Sequence, residues 1–242
     1  SGRYTMKKTA YAALFIIAIS ITAHGQQFRP KADALKAPST VVDYFLIAPL
    51  NTYLHPRYVA GSEYDARIKL LTDCIRKGTA TIDEKNAYLN VRYREDDGIE
   101  SDITMACFTC SDSTKLIGVS SVYIFNGDPG FRHCFLRYRG GKFIDVTGQV
   151  LPGLSFKSFM KQGAVISARM DEYIMSTTAR FILPRRGTTL VVEMKQEIPY
   201  LPDCDLEFPE ELYLKTYKSR ILKSIEMPFN AAKGVFSIHP RR

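Results

Sequence analysis

Apolar residues recur along this chain with two different periods. Between Ser62 and Gly78 the period is helical: Tyr64, Ile68, Leu71 and Ile75 are spaced four, three and four apart and form one stripe. Ser62 is the expected N-cap, Glu63 and Asp65 place negative charge in the first turn, Arg76 and Lys77 place positive charge in the last, and Gly78 stops the helix. A shorter helix is predicted upstream, capped by Ser39, carrying Val42, Tyr44, Phe45 and Leu46, and stopped by Pro49, which cannot donate a backbone hydrogen bond.

From Asn86 the period becomes two. Ala87, Leu89, Val91 and Tyr93 alternate with Asn86, Tyr88, Asn90 and Arg92, the pattern of a strand with one wet face. Apolar runs then follow at Ile103 to Cys110, Leu116 to Phe125, Phe131 to Tyr138 and Phe143 to Val146. They are separated by Asp96-Asp97-Gly98, Ser111-Asp112-Ser113, the Asn126 to Gly130 segment and Gly140. Five strands joined by such short turns form an antiparallel meander.

Beyond Pro152 the pattern loosens. A short helix is expected over Ser155 to Lys161, and residues 163–178 fit either period. Hairpins are expected at Arg180–Leu183 with Thr188–Met194, and at Ile221–Phe229 with Gly234–Ile238. The predicted fold class is therefore α+β: N-terminal helices packed on an antiparallel β-meander, followed by a second β-rich portion. The meander and its helices occupy residues 39–152 and the β-rich portion residues 153–242, as two portions or one continuous domain.

The start of the chain adds an address. Met6-Lys7-Lys8, an apolar run from Ala10 to Ala23, and small residues at Ala23 and Gly25 have the layout of a bacterial secretory signal peptide. The run is shorter than the roughly 20 residues of a membrane span. The expected product begins near Gln26, has no stable membrane span after cleavage, and resides in a periplasm or outside the cell. Ser1 to Thr5 precede the expected start and are set aside with the leader. Residues 26–38, with Pro30 and Pro38, read as a flexible leader. Cleavage would remove Arg3, Lys7 and Lys8 and no acid, lowering the net charge from +8 to +5. That excess is modest and spread along the chain, so no nucleic-acid partner is expected. Fourteen Tyr and fourteen Phe without Trp mark a folded chain rather than a disordered linker.

All five cysteines, Cys74, Cys107, Cys110, Cys134 and Cys204, follow the leader, where disulfides are permitted. Cys107 and Cys110 form C-x-x-C, which can be a redox pair or half a zinc site. In a strand, however, residues three apart point to opposite faces. The expectation is core cysteines, one of them able to bridge to Cys134 on a neighbouring strand. His133 adjoins Cys134 but faces away from it. A dispersed thiol or hydrolase site from His133, Asp145 and Cys107, Cys110 or Cys134 is the alternative functional reading.

Asp203, Asp205 and Glu207 resemble a calcium loop without its turn glycine or terminal bidentate acid, and with Glu210 and Glu211 read as a solvated acidic stretch. His55 and His239, each beside a proline, read as loop or surface residues. Arg185 and Arg186 at a hairpin tip suit carboxylate or phosphate recognition. Tyr44, Tyr64 and Tyr88 are candidates to line a ligand pocket between helices and sheet. No motif implies a cofactor or a metal. The expectation is an exported envelope or secreted protein that binds a ligand or an envelope protein without catalysis.

Overall fold

The computed structural model describes residues 37–50, 64–94, 98–154, 156–163, 179–194 and 222–239. These form a mostly β chain with antiparallel sheets and few helices. Helix α1 spans Val41–Ile47 and α2 spans Tyr64–Arg76. A six-stranded meander follows: β1 Ala80–Asp83, β2 Tyr88–Arg94, β3 Glu100–Thr109, β4 Lys115–Phe125, β5 Asp128–Arg139 and β6 Lys142–Asp145, each strand beside its sequence neighbours. A one-turn helix α3, Thr147–Val150, and a 3-10 turn, Phe156–Phe159, lead to a second sheet of β7 Ala179–Ile182, β8 Thr189–Met194, β9 Ser224–Asn230 and β10 Val235–Phe236, ordered β10-β9-β8-β7.

The N-cap of α1 is Thr40, one residue later than the sequence suggests. Thr40 Oγ1 accepts from the Asp43 amide at 3.1 Å while the Asp43 carboxylate accepts from the Thr40 amide at 2.9 Å, a reciprocal capping box. Ser39 adds its own amide to the same carboxylate at 3.0 Å. The expected cap of α2, Ser62, lies outside the described residues. The other end of α2 is a Schellman turn: Gly78 at φ +70° donates to Ile75 and Thr79 donates to Cys74.

Strand β1 is not apparent in the alternation pattern, because it has only four residues before Asp83 and Asn86 close a 3-10 turn. Strand β5 also starts three residues earlier than expected. Asn126 and Gly127, both at positive φ, make a two-residue hairpin that leaves Phe125 paired with Asp128. Pro129 is tolerated in the strand because β6 pairs only with residues 136–139, so β5 is an edge at that point.

Each face of the meander is buried against something different. Leu89, Val91, Ile103, Met105, Ile117, Val119 and Leu136 pack under α1 and α2, against Val42, Phe45, Leu46 and Leu71. Arg67 of α2 is buried here, and its guanidinium donates to the carbonyls of Phe45, at 3.0 Å, and Ala48 at the end of α1. It thereby satisfies acceptors that a helix terminus leaves open. On the opposite face Ala106, Phe108, Leu116 and Phe135 pack against Phe181, Leu183, Leu190, Val192, Met227 and Phe236 of the second sheet. Each fully buried side chain of this size contributes roughly 1.5–3 kcal/mol. No helix among the described residues is long and apolar enough to cross a membrane.

Candidate functional site

Strand register assembles side chains on the inter-sheet face that no local motif connects. Thr81 pairs with Asn90, Asn90 with Thr104, Thr104 with Ser120, and Ser120 with His133. Because paired residues project to the same side, five consecutive strands present one polar row to the second sheet. Asn90, buried, donates through Nδ2 to Thr104 Oγ1 at 3.0 Å and to Asp102. Ser120 donates to the Phe181 carbonyl at 2.6 Å, and His133 stacks on the Phe181 ring. Strand β7 therefore sits on one end of the polar row.

Two further rows lie beyond it, toward the β2–β3 turn. One runs Arg92, Asp102, Val122, Phe131; the next runs Arg94, Glu100, Ile124, Pro129. Both are charged on β2 and β3 and apolar on β4 and β5. They line a cavity of about 940 Å³ at the strand ends, which Leu70, Asp73 and Lys77 of α2 border on one side and Arg180 of β7 on the other. Two ion pairs in its wall are loose, Arg92 to Asp102 and Arg94 to Glu100 each at 4.0 Å, and Arg180 at its edge stands 3.8 Å from Glu193 of β8. Ile124 is a large apolar residue left 38% exposed there.

The residues singled out from sequence are dispersed. Tyr44 is buried under α1, edge-on to Tyr138 and Phe143, and Tyr64 packs on the same helix-side core. Tyr88 lies on the other face, packed against the inter-sheet core. The sheet therefore separates Tyr88 from Tyr44 and Tyr64, and Tyr93 is a tyrosine that lines the cavity. Arg185 is engaged, its Nε 3.1 Å from Asp83 Oδ2, while Arg186 is exposed on the same turn. The Asn86 amide and then Arg185 hold the Asp83 carboxyl below its usual range.

The thiol constellation is likewise separated. Cys107 and Cys134 face the helices and Cys110 lies on the other side, near Gly234 of the β9–β10 hairpin, so the two sulfurs of the C-x-x-C do diverge. Strand β4 stands between the strands of Cys107 and Cys134 and precludes the bridge between them; Cys74, Cys107, Cys110 and Cys134 are all free thiols. Burial pushes the Cys107 thiol up to about 12 and also raises that of Cys134. His133 belongs to the inter-sheet face, whereas Asp145 pairs in register with Leu136, a helix-side residue, and its Oδ1 accepts from the Thr147 amide and hydroxyl at 2.8 and 2.6 Å. Burial pushes the His133 pKa down to about 4, against a weaker upward pull from the Asp145 charge.

His239 is exposed near the end of the chain, and its amide donates to the Glu226 carbonyl at 3.3 Å. His55, Cys204 and the acidic stretch from Asp203 to Glu211 lie outside the described residues. Among the described residues, no three His, Cys, Asp or Glu side chains converge as metal ligands do. Sequence reading missed Ser120, Asp102, Ile124 and Phe131, whose relation depends on register. The one local signal was the alternation that puts Asn90 and Arg92 on the same face as Tyr88.

No protein-family model matches this chain, and no curated protein matches it. A solved structure of a domain of an uncharacterized protein from Porphyromonas gingivalis W83 is similar in fold, with a TM-score of 0.51 and 13% identity, covering 83% of this chain and 100% of that one. At that identity the similarity concerns the fold alone.

Proposed function

We propose that this chain is an exported bacterial envelope or secreted protein that binds a ligand without transforming it, in the cavity at the strand ends of the meander. In this reading the N-terminal helices close one face of the meander, the second β-rich portion closes part of the other, and the strand ends that line the cavity are the binding surface. The observation that carries it is the pair of cross-strand rows, Arg92-Asp102-Val122-Phe131 and Arg94-Glu100-Ile124-Pro129, polar at one end and apolar at the other, inside one cavity. A ligand site commonly joins an apolar floor to a few fixed polar groups in this way. Export rests on the leader, from Met6 to Gly25. The high thiol pKa of Cys107 and the engagement of Asp145 by Thr147 favour binding over thiol chemistry.

Native mass spectrometry of protein purified from an exporting host tests both halves of the proposal. The expected result is a chain beginning near Gln26 that carries a non-covalent adduct, released on denaturation and absent from Ile124→Arg. An uncleaved chain contradicts export; an adduct-free chain, or one whose adduct survives Ile124→Arg, contradicts the cavity as the site.

A further inference from the structure

We propose that the ligand of this cavity is a neutral oligosaccharide, an inference that rests on the binding reading above. Among the described residues the charge in the wall is nearly balanced, with Lys77, Arg92, Arg94 and Arg180 lining it alongside Asp73, Glu100 and Asp102. A polyanion or polycation would meet as much repulsion as attraction there. The spacing of the charges points to hydroxyl groups. In both Arg92–Asp102 and Arg94–Glu100 the nitrogen and oxygen stand 4.0 Å apart, beyond hydrogen-bond range. A hydroxyl oxygen about 2.8 Å from each atom would accept from the guanidinium and donate to the carboxylate at once. Few other uncharged groups do both, and a sugar ring carries several side by side.

The remainder of the surface suits the other property of a sugar, its apolar ring face. Val122 and Phe131 continue the first row, and Ile124 continues the second with its side chain 38% exposed. A ring lying on these residues turns its edge hydroxyls toward the charged pairs on β2 and β3. The rows cross four strands, roughly 14 Å at the usual strand spacing. That length accommodates a short oligomer. Exposed ion pairs such as these are held only weakly against water, so opening them to a bridging hydroxyl is a small loss.

Isothermal titration of the full chain with cellohexaose, maltohexaose and chitohexaose, at 50 and 500 mM NaCl, tests the assignment. At least one should bind, with a Kd that changes less than about twofold with salt, because no counterions are released by a neutral ligand. Ile124→Asp and Arg92→Ala should each weaken binding about tenfold or more, which corresponds to about 1.4 kcal/mol. Both side chains are exposed, Arg92 at 68%, and circular dichroism identifies any variant that fails to fold, leaving the other to decide. The proposal is overturned if none of the three sugars binds, if a folded variant binds as well as wild type, or if polygalacturonate binds instead with steep salt dependence. A mass-spectrometric adduct of non-carbohydrate composition, lost in Ile124→Arg, would overturn the sugar assignment and leave the binding reading standing.

Discussion

His133 of β5 stacks on Phe181 of β7, with ring centroids 3.6 Å apart and planes inclined by 25°. The contact joins the two sheets at the polar row, and it is made by an imidazole that burial holds neutral. Its pKa is about 4 in the folded chain against 6.5 in an unfolded one. Above pH 6.5 both states are neutral at this site and its contribution is constant. As pH falls from 6.5 toward 4 the unfolded chain takes up a proton that the folded chain refuses, so stability declines. The limiting slope is about 1.4 kcal/mol per pH unit, for a total of about 3 kcal/mol. Urea unfolding at intervals from pH 8 to pH 4 should show this decline in wild type and a flatter profile in His133→Phe. Asp43, Asp83 and Asp112, whose pKa values are lowered below 3.8, act below that window. Parallel profiles would contradict the buried neutral imidazole.

Tyr123 covers Gly130 directly across the β4–β5 ladder. A Cβ at residue 130 would run into the Tyr123 ring, so any side chain there displaces the ring. Gly130→Ala should destabilise by about 1–2 kcal/mol despite the better strand propensity of alanine. In Tyr123→Ala the same substitution should be neutral or mildly stabilising. A double-mutant cycle by chemical denaturation measures the coupling, and additive effects would rule out the ring as the cause.

Arg67 ties α2 to α1 by donating to the Phe45 and Ala48 carbonyls from a buried position, where burial lowers its pKa to about 10. Arg67→Met keeps much of the volume but takes the guanidinium donor from the Phe45 carbonyl and leaves that of Ala48 only the Leu50 amide, and should cost about 1–3 kcal/mol. Arg67→Lys should fall between the two, since one ammonium replaces a planar fork. Thermal unfolding of the three proteins gives the order.

Four free thiols within the folded core make reductant irrelevant to stability. Unfolding midpoints should be the same with and without dithiothreitol. Iodoacetamide at pH 8 should leave Cys74, Cys107 and Cys134 unlabelled in the native protein and label them once it is unfolded, because burial raises all three thiol pKa values. Rapid native labelling of Cys107 or Cys134 would restore the thiol-enzyme alternative.

The local elements were legible because single residues specify them. Gly78 stops α2, and the alternation from Ala87 to Tyr93 gives β2 its two faces; the spacing of Tyr64, Ile68 and Leu71 gives the inward side of α2, but Ile75, which continues that spacing, is 43% exposed and the helix buries Arg67 and Cys74 beside Leu71 instead. Errors arose where one residue has two uses. Pro129 and Gly130 look like turn residues yet lie in β5, since Asn126 and Gly127 complete the turn alone. The candidate site was largely illegible for a different reason. Arg92, Asp102, Val122 and Phe131 come from four strands, and only register makes them neighbours. Tyr44, Tyr64 and Tyr88 share a residue type but not a face, since the alternation sets Tyr88 opposite Leu89 and Val91, on the face that meets the second sheet.

Two exposed isoleucines allow the most direct test of the cavity as the binding site. Ile124 lies in it at 38% exposure, and Ile144 lies on edge strand β6, outside it, at 47%. A photoreactive benzoylphenylalanine can be placed at either position, irradiated in the exporting host, and its adducts identified by mass spectrometry. A discrete adduct at residue 124 with none at residue 144 is the predicted result. Equal labelling at the two positions, or none at residue 124, would contradict the assignment of this cavity as the site of binding.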